Sequence, residues 1–272
     1  VFVDVTDDYN INPDLIENAI TAHTKAIIPV HLTGNPAKMN KIMEIANKHK
    51  KYVIEDACQA ICASIDGKPV GSFGIAGCFS LHPLKNLNVW GDGGVITTNS
   101  KELANKLRLL RNHGLKTRDE VEIFGYNSRL DTLQAIVGLR LMKVLDKITN
   151  KRIENAKKYD QAFARLSDFI ILPPRKESMK QVFHTYVIQA KDRDNLMKYL
   201  AEKGIEAKTH YPVPIHLQEC SKYLGYEEGD FPVCESQTKF IITLPVHQHL
   251  TDRQIEYVIE TVRKFYSKND GT

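Results

Sequence analysis

The first half of the chain alternates short apolar runs with segments whose apolar residues recur at helical spacing. The apolar runs of strand length lie at residues 26–30, 52–54, 77–80 and 94–98. Val1 to Val5 has the pattern of another strand that is already under way, so we expect an N-terminal part to be missing. Helical spacing starts near Pro13, near Met39 and after Ser100. This alternation predicts an α/β fold with a mostly parallel sheet.

The second half has a different pattern. One long helical segment is predicted from Asp131 to about Leu166, opened by a capping box of Asp131 with Gln134. A strand over 182–190 and a helix over 194–203 follow, and Thr251 with Gln254 forms a capping box for the last helix. Because charge rises after Lys147, we predict a large domain over 1–147 and a smaller α+β domain over 148–272.

Composition and charge narrow the class of protein. The chain is 42% hydrophobic and 26% charged, which is typical of a globular protein in water. Its net charge of +4 and one short lysine cluster at Lys48–Lys51 predict no nucleic-acid partner. No apolar run is long enough to span a bilayer, so we predict no membrane partner. The spacing of the five cysteines indicates neither disulfide pairs nor a set of metal ligands. We therefore expect reduced thiols, a cytoplasmic location and no metal site.

The first candidate chemical group is an acid that ends an apolar run. Glu55-Asp56 follows the predicted strand at 52–54, at the carboxyl edge where α/β sheets bind ligands. At this edge of the sheet, Asp56 is a candidate metal ligand, general base or counter-charge to a bound cation. The alternative is a polar strand end whose oxygens accept bonds from turn amides.

The second candidate is Lys85, in a loop that follows another predicted strand. Pro83 and the glycines at 91, 93 and 94 punctuate this loop. A desolvated lysine loses its proton more easily, as Schiff-base chemistry requires. The segment therefore favours a cofactor lysine over an ordinary surface lysine.

Four motifs then follow one another along the chain. They are Glu-Asp-Ala-x-Gln-Ala from Glu55, Ser-x-x-x-x-Lys-Asn from Ser80, Gly-Asp-Gly-Gly from Gly91, and Gly-Tyr-Asn-Ser-Arg-Leu-Asp from Gly125. Together they closely resemble the DegT/DnrJ-type sugar aminotransferases, which have the fold-type-I architecture of pyridoxal-phosphate enzymes. The resemblance implies a large pyridoxal-phosphate-binding domain and a smaller C-terminal α+β domain.

The resemblance also implies roles for single residues. Lys85 would bind pyridoxal 5'-phosphate as a Schiff base and move the proton, and Asp56 would pair with the pyridinium nitrogen. Gln59 would contact the phenolic oxygen and Ser80 the phosphate. The residues implied beyond these four are Asn127, reaching a phosphate in the neighbouring subunit of a homodimer, and Arg129 and His216, which would contact substrate.

The implied reaction transfers an amino group from an amino acid such as glutamate to a nucleotide-linked keto-sugar. Its product would serve amino-sugar, surface-glycan or secondary-metabolite biosynthesis. One alternative is a pyridoxamine-phosphate-dependent sugar dehydratase, but those relatives have histidine where this chain has Lys85. The other is a non-catalytic regulatory homologue, against which the intact set of Asp56, Gln59, Ser80 and Lys85 argues.

The chain departs from the family at its start. Relatives carry, upstream of the segment that matches Val1, a phosphate-binding turn and an aromatic residue that stacks on the cofactor ring. Neither is found here. The resemblance therefore implies a large domain that is incomplete at its N-terminus, and we expect the chain as it stands to bind the cofactor poorly.

Overall fold

A four-stranded sheet organises the first half of the chain in the computed structural model, which describes residues 1–269. Its strands are β1 (Ala26–Ile27), β2 (Tyr52–Asp56), β5 (Ala76–Ser80) and β6 (Gly94–Thr97), in the order β1-β2-β5-β6. β1 and β2 are parallel, as are β2 and β5, whereas β6 runs antiparallel to β5. The predicted mostly parallel α/β fold is confirmed. A short hairpin of β3 (Ser64–Ile65) and β4 (Lys68–Pro69) lies between β2 and β5.

Helices flank this sheet where the sequence predicted them. They are α1 (Pro13–Ala19), α2 (Met39–Lys48) and α3 (Lys101–Arg111). The Asn12 side chain accepts the Asp14 amide at 3.0 Å and caps α1, and Ser100 caps α3 in the same way. Ile16 packs into the core, whereas Leu15 is exposed, so α1 buries a narrower face than predicted.

The predicted strand at Val1 to Val5 is wrong. Only Val5 makes a β-bridge, with Ile11, and the rest of the segment is irregular. Other contacts hold it. The Phe2 ring packs against Phe231 at 6.3 Å between centroids, and both Asp4 carboxylate oxygens accept the first free amides of a C-terminal helix, Val233 and Cys234, at 3.0 Å. A cap and an aromatic contact replace the ladder that the apolar pattern predicted.

The second half is a three-stranded antiparallel sheet covered by helices. Its elements are α4 (Thr132–Met142), α5 (Leu145–Phe163), β7 (Ile170–Ile171), β8 (Met179–Lys180), β9 (Tyr186–Ala190), α6 (Arg193–Glu202), α7 (Pro232–Phe240), β10 (Ile241–Leu244) and α8 (Asp252–Asn269). The sheet order is β10-β9-β7. Its core packs Tyr159 of α5, Tyr186 of β9 and Val262 of α8, each fully buried or nearly so. No helix within residues 1–269 has the length and apolar composition that crossing a bilayer requires.

The helical segment predicted from Asp131 to about Leu166 is two helices, because the chain leaves helical geometry at Val144. The capping box predicted at its start is also wrong. Asp131 makes no side-chain cap bond, and the Gln134 oxygen accepts the Trp90 amide at 2.7 Å instead. By contrast, the predicted box at α8 is confirmed, since Thr251 and Gln254 exchange side-chain-to-amide bonds at 2.9 and 3.3 Å.

The two halves are joined by packing and by strand pairing. β8 pairs with β3, and Val182 is fully buried beside Ala57 and Ala60. Helix α5 belongs to both cores, because Leu145 packs beside Leu81 while Tyr159 lies in the C-terminal core. The boundary predicted between 147 and 148 falls in the first turn of α5 and stays a prediction.

A buried carboxylate fixes the end of β2. Glu55 is fully buried, and each of its oxygens accepts two hydrogen bonds. Oε1 accepts the amides of Phe73 and Gly74 at 2.7 and 2.8 Å, and Oε2 accepts the Gly71 amide at 2.6 Å and His31 Nε2 at 3.1 Å. His31 Nδ1 accepts the Ala37 amide at 2.9 Å, so the ring proton lies on Nε2 and is donated to Glu55. His31 is therefore a structural histidine.

Glu55 keeps its charge in spite of its burial. Burial alone would raise the pKa of this carboxyl, but the hydrogen bonds from His31, Gly74 and Gly71 together leave the pKa below its ordinary value of 4.5. The ionised form is therefore the folded form, and the loop at residues 71–74 and His31 depend on it.

We expect Glu55→Gln to lower the free energy of unfolding by about 2–6 kcal/mol, because the amide leaves two buried donors without an acceptor, at about 1–3 kcal/mol each. In either orientation of the glutamine side chain, its NH₂ group would face two N–H donors that now bind one oxygen of Glu55. Urea denaturation at pH 7 measures the loss, and the exposed Glu44→Gln is the control. Because the folded pKa is depressed, the stabilisation is present above pH 4.5 and disappears as the pH falls through the folded pKa. A difference between variant and unsubstituted protein that persisted unchanged at pH 3 would contradict the assignment.

Candidate active site

A cavity of about 460 Å³ opens at the edge of the four-stranded sheet where β2 and β5 end. Its walls include Thr33, Gln59, Ser80, Lys85, His184 and His210. The first four come from loops and strand ends of the N-terminal half, and the two histidines come from the C-terminal half. The cavity thus lies between the two halves, at the edge where α/β folds bind ligands.

Asp56 is the last residue of β2, where the Glu55 hydrogen bonds hold the strand end. Its carboxylate accepts the Cys58 amide at 3.0 Å, which turns the chain toward Gln59. Asp56 is half-buried and does not line the cavity, but it is near enough to Lys85 for its charge to raise the pKa of that amine. One carboxylate oxygen therefore accepts a turn amide, as the alternative interpretation predicted, while the role of Asp56 toward a bound cation stays a prediction.

Lys85 lies in a loop fastened by its own backbone. Its amide donates to the His82 carbonyl at 2.9 Å, and its carbonyl accepts the Asn88 side-chain amide at 2.9 Å. The loop ends are tied where the Val89 amide donates to Leu81 at 2.9 Å. Burial lowers the pKa of the Lys85 amine, against the opposing influence of Cys58 and Asp56. A larger share of this amine is therefore neutral and nucleophilic than in an exposed lysine.

Gln59 and Ser80 are held in the cavity wall by backbone amides. The Gln59 oxygen accepts the Thr33 amide at 2.7 Å, which leaves its NH₂ group free to donate. The Ser80 oxygen accepts the His82 amide at 3.2 Å, which leaves its hydroxyl proton free to donate. The structure thus brings together four of the predicted residues, Asp56, Gln59, Ser80 and Lys85.

Asn127 and Arg129 lie elsewhere. Both are exposed on a segment that pairs with the end of α3, where Asn127 bridges Asn112 and the Arg129 guanidinium donates to the Asn112 side chain at 3.2 Å. Neither residue lines the cavity that holds Lys85. Arg129 shares a surface with Arg108 and Arg111 of α3.

The structure does not bring His216 into the cavity either. Its side chain is buried, its Nε2 lies 2.9 Å from Glu235 Oε1, and its ring packs on Phe231 at 4.6 Å. Glu235 also accepts the amides of Gly229 and Phe231, at 2.8 and 3.1 Å. In this chain the His216 imidazole fastens the loop that leads into α7.

Among the cavity residues that the sequence did not single out are His184, His210 and Tyr211. His184 comes just before the apolar strand β9, and no spacing to Lys85 marks it. His210 and Tyr211 open the proline-rich loop in which His216 had been chosen. A rule that favours histidines at element ends would have found His184 and His210, but it would have found many others too.

The arrangement fits pyridoxal phosphate. It provides an amine whose pKa burial lowers, a carboxylate beside it, and amide and hydroxyl donors at the same sheet edge. Asn86, the neighbour of Lys85, leaves its side-chain oxygen buried without a hydrogen-bond partner, and His184 does the same with Nδ1. Unpartnered buried atoms beside a reactive lysine are typical of a ligand site.

Comparison with known proteins supports this interpretation. The family model described as the DegT/DnrJ/EryC1/StrS aminotransferase family matches residues 1–263. The chain is 43% identical to the pleiotropic regulatory protein of Geobacillus stearothermophilus, over 98% of this chain and 72% of that protein. It is 41% identical to a UDP-N-acetyl-3-dehydro-alpha-D-glucosamine 3-aminotransferase of Acidithiobacillus ferrooxidans, over 97% of this chain and 71% of that protein.

A solved structure shows the same fold. DesV of Streptomyces venezuelae, determined in complex with a ketimine intermediate, superposes with a TM-score of 0.94 at 38% identity, over 97% of this chain and 71% of that one. The fold and the lysine cavity define a pyridoxal-phosphate-dependent aminotransferase. The chain belongs to the DegT/DnrJ/EryC1/StrS aminotransferase family.

Gly34 allows the close approach that closes one wall of the cavity. Its φ is +86°, and a Cβ atom there would lie 2.8 Å from a Val182 methyl and 3.0 Å from the Gln59 carbonyl oxygen. The Val182 amide donates to the Gly34 carbonyl at 3.0 Å. The two halves therefore meet at a position where only glycine fits.

We expect Gly34→Ala to lower the free energy of unfolding by about 2–5 kcal/mol, because left-handed strain adds to overpacking. Gly204→Ala is the matched control, since its φ is +73° and nothing lies within 4 Å of the added methyl group. It should cost about 1–2 kcal/mol, from strain alone. Denaturant titration of both variants measures the difference. Equal losses would show that the contact between Gly34 and Val182 is not tight.

Proposed function

We propose that the chain transfers the amino group of an amino acid, glutamate in the first instance, to a nucleotide-linked keto-sugar. The observation that carries the proposal is the Lys85 amine, half-buried in the cavity, with Asp56, Gln59 and Ser80 at the same edge. A related aminotransferase at 41% identity has a UDP-linked 3-dehydro sugar in its name, which supports the substrate class. The product would enter amino-sugar, surface-glycan or secondary-metabolite biosynthesis.

When bound, pyridoxal phosphate supplies an aldehyde that accepts and returns the amino group and a ring that absorbs electrons released at the substrate carbon. Lys85 would hold it covalently through Nζ. When it is not bound to the cofactor, the same amine lies in the cavity with a pKa that burial lowers, so it can take and return a proton there. The loop bonds at His82 and Asn88 keep the amine in place for that transfer.

The other three residues would bind and orient. The Asp56 carboxylate, at the end of β2, would hold a proton on the ring nitrogen by its charge. The free NH₂ group of Gln59 would donate to the phenolic oxygen and the Ser80 hydroxyl to the phosphate. We do not extend the proposal to His216, because its imidazole is buried against Glu235.

We further propose a homodimer in which Asn127 acts in the partner's cavity, with Arg129 placed to meet an anionic part of the substrate. Both side chains are exposed and lie outside the cavity of their own chain. The same half of the molecule exposes four large apolar side chains of α4, namely Leu133, Ile136, Leu139 and Met142, each 56–62% exposed. A cluster of exposed apolar side chains is typical of an interface between subunits.

The proposed compartment is the cytoplasm. All five cysteines are free thiols, a form that a reducing compartment maintains. Burial raises the pKa of Cys58, which lies close to Lys85, to about 12, so this thiol does not compete as a nucleophile.

Borohydride reduction of the cofactor-treated protein should fix the pyridoxyl group on Lys85, because that lysine combines burial with access to the cavity. Peptide mass analysis locates the modification. Lys85→Arg should lose it, together with the visible absorbance of the cofactor, whereas Lys101→Arg at the exposed start of α3 should keep both.

Modification of another lysine would show that Lys85 is misassigned. Cofactor on Lys85 without any transfer from glutamate or another amino acid would instead favour the non-catalytic, regulatory alternative. That alternative has one specific observation in its favour, the name of the Geobacillus relative.

Mixing inactive Lys85→Ala chains with inactive Asn127→Asp chains should restore activity if the cavity is shared. In a two-fold symmetric heterodimer, one of the two sites then has both residues intact, and random exchange should restore about one quarter of the unsubstituted activity. Sedimentation of differently tagged chains confirms that subunits exchange. No restored activity in a mixture that does exchange would place Asn127 outside the partner's site.

A further inference from the structure

His184 has a place in the cavity but no partner in the protein. Its ring lines the same cavity as Lys85 and Ser80. Within residues 1–269 its side chain makes no hydrogen bond, and Nδ1 is buried without one. Because the ring lines the cavity and Nε2 has no hydrogen-bond partner among these residues either, Nε2 is available to a ligand bound beside Lys85.

The backbone that carries His184 is held in a costly conformation. Phe183, directly before it, has φ of +48°, in the left-handed region that a bulky side chain rarely adopts. Such a conformation persists only where the surroundings enforce it, and it is concentrated at functional sites. Here the Phe183 side chain is buried in the C-terminal core, which fixes the turn from one side.

A buried arginine fixes the turn from the other side. Arg152 of α5 is 6% exposed, and its Nη1 donates to the carbonyls of Phe183 and His184 at 3.0 and 3.2 Å. Its Nε donates to the Gln248 side chain at 3.0 Å, and no carboxylate pairs with it among the described residues. Burial lowers the pKa of Arg152 to about 10, so it still carries its charge at pH 7. Burying an unpaired cation is unfavourable, and its hydrogen-bonding capacity is here directed at these two carbonyls.

The N-terminal half holds the preceding residue. The Val182 carbonyl accepts the Asn86 side-chain amide at 3.1 Å, and the Val182 amide donates to Gly34. Asn86 is the neighbour of Lys85 in the cofactor loop. Residues 182–184 are therefore anchored to both halves, and the His184 ring is set at a fixed place relative to Lys85.

The charge state of the ring follows from its surroundings. Burial lowers the pKa of His184 to about 3, and the positive charges of Lys85 and Arg152 together with nearby His210 act in the same direction. The imidazole is therefore neutral at physiological pH and has one N–H donor and one acceptor. An unpartnered buried N–H is rarer than an unpartnered acceptor, so the proton belongs on Nε2 and Nδ1 is the acceptor.

We infer that His184 is a binding residue for the proposed reaction, whose neutral imidazole donates a hydrogen bond from Nε2 to an oxygen atom of the substrate held beside Lys85. The inference rests on the proposed function. The contact is a hydrogen bond from a neutral donor, so His184 adds no second positive charge beside Lys85. The accepting oxygen belongs either to the amino-acid carboxylate or to the sugar, and the two half-reactions distinguish these sources.

Atom-matched substitutions test the inference. His184→Gln can place an amide donor near the position of Nε2, whereas His184→Asn places it near Nδ1 and His184→Leu removes it. We expect kcat/KM for one half-reaction to fall about 10- to 100-fold in the Leu and Asn variants. The Gln variant should stay within about 3-fold of the unsubstituted protein, and the other half-reaction should change little. If kcat/KM falls only in the half-reaction with glutamate, the oxygen that accepts the hydrogen bond belongs to the amino-acid carboxylate. If it falls only in the half-reaction with the keto-sugar, that oxygen belongs to the sugar.

A second readout does not depend on turnover. The ¹⁵N NMR spectrum of the cofactor-free protein should contain one histidine in the neutral Nε2–H form that does not titrate between pH 5 and 8 and that is absent from His184→Gln. His23→Gln and His23→Leu, in an exposed turn, are the matched controls for kinetics and spectrum. Thermal unfolding of all variants separates loss of binding from loss of folding.

The outcomes are distinguishable. Turnover in the unsubstituted protein with kinetics that His184→Leu leaves unchanged contradicts the inference alone. Equal losses in the Gln, Asn and Leu variants, or a His184 signal that titrates near pH 6.5, also overturn it. No turnover by the unsubstituted chain contradicts the proposed function, and the inference with it.

Discussion

The ionised Glu55 carboxylate is the interaction on which the site depends. Four donors converge on a fully buried side chain, so the loop at residues 71–74, His31 and the end of β2 are fixed by one charge. Asp56 is the next residue. The Glu55 hydrogen bonds therefore orient Asp56 toward the Lys85 loop, and with it the turn that leads to Gln59. None of the groups in this network lines the cavity. The carboxylate is stabilising only because every lone pair is used, since an unpaired buried charge would be strongly unfavourable.

A second constraint is the junction between the two halves of the chain, because each half forms one wall of the cavity. Val182 contacts Gly34 and the cofactor loop, while Arg152 holds the backbone of the next two residues. The wall that carries Lys85 and the wall that carries His184 are therefore positioned by the same short segment. A change in packing at residues 182–184 would therefore alter the distance between the two walls as well as the stability of the fold, and would leave the chemical groups of each wall unchanged.

The sequence predicted the part of the site that depends on local order. Asp56, Gln59, Ser80 and Lys85 come from strand ends and the loops after them, and parallel strands bring their carboxyl ends to one edge. The sequence-based prediction was wrong where contacts with distant segments determine the position of a residue. His216 has the sequence context of a ligand-facing loop, but Glu235 draws it into the interior, and Asp131 loses its capping role because Gln134 binds Trp90. His184 has no local signal at all, since its place is set by Arg152 and Gly34, each of which is distant in sequence. Val1 to Val5 is apolar enough for a strand, but its partners are rings and a helix end rather than a ladder.

The bond between Asp4 and the first turn of α7 has a consequence for how the protein is made. The helix cap joins residues 229 and 230 positions apart, so Asp4 cannot cap α7 until about that many further residues have been synthesised. At ordinary rates of synthesis the segment that contains Asp4 waits roughly 10–50 s for this partner. During that interval Phe2 has no Phe231 to cover it, so an aromatic side chain of the nascent chain stays exposed. Chaperones that bind apolar segments during translation could bind this segment until α7 has formed.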